Sequence, residues 1–217
     1  MDLSQLDPEE RAAWELYVLT GIHAFLFVDH VEGEKRLHDT IVEDLFAMIP
    51  EHGEPPPEDA EIPAVVLSAS EFVGPYKAFI HLWAPPGRLD AIQDFIAYTL
   101  WDLGLRCNYA TQGTSYQGPD TIYQTKLKKC DVVAVVRIWA ESGSTGELLG
   151  RLAELPGFEG AVTVFGDFDV LLVIGGSDFA SVAKVAIGPL QSIPGIERTE
   201  TSFADYRRYD EYGEESA

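Results

Sequence analysis

Four consecutive residues, Gly166-Asp167-Phe168-Asp169, bring together groups suited to a small zwitterion. A glycine turn exposes backbone N–H groups that can receive a carboxylate. A neighbouring aspartate can hold an ammonium through a charge-assisted hydrogen bond. The Phe168 ring supplies apolar contact. The same residues also read as a plain tight turn, with Phe168 as a core residue. Gly74-Pro75-Tyr76-Lys77 repeats the pattern in part. Gly74 and Tyr76 occupy the matching places, whereas Pro75 and Lys77 stand where the acids would be.

Other chemistry finds less support. None of the five histidines, His23, His30, His38, His52 and His81, forms a spaced metal pair on one helix face, so no metal site is expected. Asp29 and His30 are adjacent in a strand and point to opposite faces. Cys107 and Cys130 read as small packing residues rather than nucleophiles. Glu71 and Lys77 could form an exposed pair of little energetic weight. The four tryptophans read as core or interface residues. No Gly-rich phosphate loop and no G-x-S-x-G elbow occurs. The expectation is therefore no catalytic residue and no cofactor.

The elements that must position the turn follow one order twice. His23–His30 reads as a strand, and Glu34–Ile49 as a helix with Leu37, Ile41, Leu45 and Met48 on one face, stopped by Pro50. Ala64–Ala69 and Tyr76–Trp83 read as a hairpin. Arg88–Leu103 is helical, with Leu89, Ile92, Ile96, Leu100 and Leu103 inward, and Arg106–Thr111 closes the unit. Then Asp131–Trp139 is a strand. Ser144-Thr145-Gly146-Glu147 fits a capping box for a helix carrying Leu148, Leu149, Leu152 and Leu155. Ala161–Phe165 and Phe168–Ile174 form a hairpin. Ser177 or Asp178 caps a helix bearing Phe179, Val182, Val185 and Ile193, which Pro189 breaks or kinks, and Ile196–Phe203 is the last strand.

This order predicts an α+β fold of two tandem ferredoxin-like βαββαβ units, their bare sheet faces packed face to face as an α+β barrel, although the sequence equally allows packing against another chain. The expected boundaries are an N-terminal helix in 1–22, a first repeat in 23–123, a linker in 124–130, a second repeat in 131–205 and an acidic tail in 206–217. The first repeat includes an acidic, Pro-rich loop at 50–63. The net charge of −21, from 36 acidic and 15 basic residues, argues against direct nucleic-acid or anionic-membrane binding. The N-terminus carries no apolar run of the signal-peptide kind, and no stretch is long enough to span a bilayer, so a cytoplasmic location is expected.

The second half resembles the effector-binding domain of the leucine-responsive/asparagine regulator (Lrp/AsnC) family. The residues that carry the resemblance are Val132–Ile138, Leu148–Gly157 (LLGRLAELPG), Val162–Leu172 (VTVFGDFDVLL) and Ile193-Pro194-Gly195-Ile196 with Glu197–Thr201. The family typically shows Gly-[Asp/Glu]-[Tyr/Phe]-Asp-x-Leu at the turn and Pro-Gly-Val before the last strand. The resemblance implies a small-molecule effector, typically an amino acid, at Gly166, Asp167, Phe168 and Asp169, with Gly74 and Tyr76 as the first-repeat counterpart. It also implies a homo-oligomer. Only residues 1–22 precede the first strand, where the family usually carries a helix-turn-helix, so the module is expected to act without its own DNA-binding domain. Two alternatives stay open. One is an enzyme of the dimeric α+β barrel superfamily, cofactor-free or haem-type, although residues 82–217 hold no histidine of the kind that ligates haem in its two-repeat members. The other is a pure protein-interaction module. Amino-acid-binding ACT domains share the same element order.

Overall fold

The computed structural model describes residues 21–32, 37–45, 64–117 and 130–205. The expected N-terminal helix, the loop at 50–63, the 124–129 part of the linker and the tail from 206 lie outside these residues. The chain forms two compact units. One comprises the described residues up to Glu71 together with Lys77–Thr111, and the other comprises Phe72–Tyr76 with the residues from Gln112 onward.

The first unit has the order β1 (Ile22–Val31), α1, β2 (Val65–Glu71), β3 (Ala78–Ala84), α2, β4 (Leu105–Gln117). Helix α1 is described over Leu37–Asp39 and, as a wider turn, over Thr40–Leu45. Helix α2 begins at Leu89–Asp94 and widens over Phe95–Leu100. The strands lie antiparallel in the order β2-β3-β1-β4, with β4 pairing to β1 as far as Thr111. β1 is aromatic and branched, and it is buried on both faces from His23 to Val28, so it reads as a continuous apolar run rather than an alternation. Leu89, expected inward, is exposed, whereas Ile92 and Leu100 are fully buried. The wide turn over 95–100 adds a residue to the helical period. Leu89 lies three residues before the buried Ile92 in the regular part of the helix, so its exposure comes from its place at the helix start and not from the wide turn.

The second unit has the order β5 (Val132–Ala140), α3 (Thr145–Leu152), β6 (Phe158–Phe165), β7 (Val170–Gly176), α4 (Phe179–Ile187), a short 3-10 turn at Leu190–Ser192 and β8 (Ile196–Asp205). Its strands run β6-β7-β5-β8, all antiparallel. Val132, Ala134, Val136 and Ile138 pack with Leu148, Leu149, Leu152 and Val182 in one core. The alternate positions Val133, Val135 and Arg137, and across the sheet Leu171 and Val173, are buried as well. Both faces of this sheet are therefore covered.

One local expectation needs correction. Ser144 makes no side-chain cap; its hydroxyl donates instead toward the Glu141 and Gly195 carbonyls, tying the start of α3 to the turn before β8. Of the two residues expected to cap α4, Asp178 does so, accepting from Ser181 N–H. Phe179 stands exposed at the first position of that helix, its ring centroid 4.7 Å from that of Phe203. Pro189 does end the helix, since α4 stops at Ile187 and a 3-10 turn follows.

The same backbone contacts recur at matching places in the two units. Glu32 N–H donates to Gly104 C=O (2.7 Å), as Glu141 N–H donates to Gly195 C=O (2.9 Å). Lys77 N–H donates to Val28 C=O (2.7 Å), as Asp169 N–H donates to Ile138 C=O (2.9 Å).

Candidate functional site

The Gly166–Asp169 turn joins β6 to β7 beside the end of β5. Its residues have separate tasks. The Asp169 carboxylate accepts from Ala140 N–H (2.9 Å), which closes the end of β5 onto the turn. Phe168 is buried and meets the Trp139 ring edge-on, with centroids 6.2 Å apart. Asp167 keeps most of its side chain in solvent, and its carboxylate pairs with the Arg137 guanidinium at 3.2 Å. The Asp167 carbonyl accepts from the Trp139 indole N–H. The turn is thus held from below by one arginine and one tryptophan, both on β5.

Arg137 is the residue that sequence reasoning missed. Its side chain is only 4% exposed and pairs with two carboxylates, Asp167 and Glu200. Glu200 sits directly opposite it across the β5–β8 pair. Three rings surround the guanidinium, with centroids 4.4 Å (Tyr76), 5.1 Å (Trp139) and 5.3 Å (Phe168) from its carbon. Such contacts favour a cation, and more so away from water. A signal was present in Val132–Ala140, VVAVVRIWA, where a single charge interrupts an apolar strand. A charge at such a position must be paired if buried. Arg198, 60% exposed, stacks on the outer side of Trp139 at 4.3 Å and also pairs with Glu200. The cluster therefore combines two guanidinium groups with two carboxylates. Arg137 and Glu200 lie inward, and Arg198 and Asp167 face solvent.

Burial by itself raises the Glu200 carboxyl pKa. The hydrogen bonds and charges of Arg137 and then Arg198 outweigh it, and the net shift is downward. The folded-state value then lies below the unfolded value of about 4.3. The stability this contributes is fully present above that value and is lost as pH falls through the folded one. Chemical denaturation from about pH 7 to pH 3 is expected to show a steeper acid decline for the wild-type chain than for Glu200→Gln, which starts lower and falls less. Parallel declines would contradict the pairing.

Gly74 and Tyr76, the first-turn counterparts, lie in the segment that belongs to the second unit. Tyr76 covers Arg137 there, and Gly74 packs against Ser202. The first unit holds a different polar group. His23 Nδ1 and His81 Nε2 lie 3.0 Å apart, both fully buried, with Phe25 beside His81 at 4.8 Å between ring centroids. Glu71 meets His38 at 3.2 Å. Burial, then the Asp29 charge, pushes the Cys107 thiol up to about 12, and burial with the Glu159 contact pushes Cys130 up to about 11. Among the described residues no group of three or more His, Cys, Asp or Glu side chains is arranged to hold a metal ion, and no helix is long and apolar enough to cross a membrane.

The span that carries this turn has a recognisable relative. Residues 133–212 match the family model of the Lrp/AsnC ligand binding domain. The match spans β5 to β8 and includes Arg137, Trp139, Asp167 and Glu200. A comparison with curated proteins finds no match. Among solved structures, the chain is similar to the siroheme decarboxylase NirDL, with a TM-score of 0.57 and 8% identity over 84% of this chain and 70% of that one. NirDL in complex with an iron-uroporphyrin III analogue gives 0.56 and 8% over the same shares. An anthrone oxidase-like protein gives 0.50 and 11%, covering 85% of this chain and 91% of its own. At these identities the likeness shows the fold: α+β, of the ferredoxin-like kind.

Proposed function

We propose that the chain is a regulatory module that binds a small zwitterionic effector, an amino acid, at the Gly166–Asp169 turn of its second unit. The observation that carries this reading is the buried Arg137, which fixes the Asp167 carboxylate while leaving its outer side in solvent. In that arrangement Asp167 receives the ligand ammonium and Arg198, placed over the Trp139 ring, receives the carboxylate. Phe168 and Asp169 shape the turn, and Gly166 brings its backbone close. The match to a ligand-binding domain supports the reading. The recurring hydrogen bonds of the two units suit a tandem duplication in which the first copy has lost the acids. The module works in the cytoplasm as a homo-oligomer.

A thermal-shift screen against the twenty amino acids tests this. One or a few are expected to raise the midpoint by roughly 5–10 °C at about 100 times the dissociation constant. The shift is expected to vanish in Asp167→Ala. No shift in the wild-type chain, or an undiminished shift in Asp167→Ala, contradicts the reading. A second reading, an enzyme, has one foothold in the buried His23–His81 pair, since imidazoles are common acid–base groups. A ligand response lost in His81→Ala but kept in Asp167→Ala would favour it.

A further inference from the structure

The segment joining β2 to β3 does more than connect two strands. Val73 exchanges two backbone hydrogen bonds with Phe203 of β8, at 2.7 and 2.9 Å. Gly74, at φ +152°, lies so close that an added Cβ would meet Ser202 Oγ at 2.9 Å and Ser202 Cα at 3.0 Å. The segment is thereby clipped to the edge of β8, and a side chain at Gly74 would collide with Ser202 there. Two residues further on, Tyr76 is half-buried with its ring over the Arg137 guanidinium. Trp139 and Phe168 flank the same cation from β5 and the turn.

We propose that Tyr76 is a positioning residue for the Asp167 turn: clipped in place by Val73 and Gly74, its ring closes over Arg137 and thereby fixes the Asp167 carboxylate for the ligand. The proposal rests on the effector reading above and adds a residue from outside the matched span 133–212 to its site. A guanidinium pairs most strongly with carboxylates when water is kept from it. β5 and the Phe168 turn supply two aromatic walls, and Tyr76 supplies the third. Without it the Arg137 head group gains solvent and rotational freedom, and Asp167 loses its fixed partner. The hydroxyl is not needed for this, so phenylalanine preserves the role and leucine, with no π face, does not.

The test uses the full chain and two independent probes. The first is phenylglyoxal, an arginine-specific reagent, with the labelled peptides quantified by mass spectrometry. Arg137 is expected to react slowly in the wild type and in Tyr76→Phe, and at least tenfold faster in Tyr76→Leu. Arg198 should label readily in all three and serves as the internal reference. Gly74→Ala, which displaces the clip but keeps the ring, is expected to expose Arg137 as Tyr76→Leu does. Equal Arg137 rates in the wild type and both disrupting variants overturn the proposal. The second probe is the amino-acid panel. Where an amino acid stabilises the wild type, it should stabilise Tyr76→Phe equally and Tyr76→Leu by less than half as much at the same concentration. An equal shift in Tyr76→Leu also overturns the proposal. A wild type that responds to no amino acid ends the effector reading alone, because the labelling rates still decide whether Tyr76 positions Arg137.

Discussion

Arg137→Met is expected to lower stability by about 2–3 kcal/mol and to abolish any effector response. The side chain lost is nine-tenths buried and answers two carboxylates. Removing one member of a buried charge group costs about 3–5 kcal/mol when its partners are left stranded. Here the stranding is partial. Asp167 can turn to water, and Glu200 keeps Arg198. Methionine fills much of the volume, so the remaining loss is mainly that of Glu200 losing its inner partner. The midpoint should fall by roughly 4–12 °C for a chain of this size. Adding Glu200→Gln to Arg137→Met should cost less than Glu200→Gln does alone, by about 1 kcal/mol or more, because the charge it removes has already lost its inner partner and keeps only the exposed Arg198. Urea unfolding of the four proteins in this cycle measures the coupling. Strict additivity would mean that the two side chains do not act together. Asp167→Asn, at the exposed end, should cost well under half as much as Arg137→Met.

Gly104→Ala is expected to be as severe without touching the site. Gly104 has φ +71°, in the left-handed region, and an added Cβ would overlap the Glu32 carbonyl oxygen. Its own carbonyl receives Glu32 N–H, and its N–H donates to Trp101 C=O. The residue therefore ends α2, starts β4 and ties both to the end of β1. The strained backbone costs about 1–2 kcal/mol, and displacing a backbone oxygen about as much again. We expect a loss of about 3 kcal/mol, read by the same urea titration. Gly87→Ala is the control, since φ there is +81° but nothing lies within 4 Å. It should show only the smaller conformational cost. Equal losses at the two positions would mean that the close approach to Glu32 is unimportant.

The order of elements was legible in the sequence because apolar spacing, prolines and glycines repeat at nearly constant offsets. The aromatic, branched run at His23–Val28 and the leucine stripe at 148–155 could hardly be read otherwise. Details that depend on contacts distant in sequence were not legible. Ser144 has the residue pattern of a cap, yet its hydroxyl is drawn to Gly195 from a turn 51 positions away. The exposure of Leu89 at the start of α2, and the wide turn over Phe95–Leu100, are announced by no single residue. At the site, Gly166–Asp169 was recognised as a unit. The division of labour between Asp167 and Asp169 was not, because it depends on which carboxylate faces Ala140 N–H and which faces Arg137. Arg137 was readable as an anomaly in an apolar strand, but Glu200 and Tyr76 acquire meaning only once β8 and the 72–76 segment lie beside it.

The most direct test of the account is an NMR titration of the 15N-labelled chain with the amino acid that gives the largest thermal shift. Trp139 is a natural reporter, because its indole N–H donates to the Asp167 carbonyl and its ring carries Arg198. The account predicts that the Trp139 indole signal and the backbone amides of Gly166 to Asp169 move first and together, while the Trp83 and Trp101 indoles stay where they are. Shifts that begin among the first-unit residues around His23 and His81, with the Trp139 indole unmoved, would contradict it.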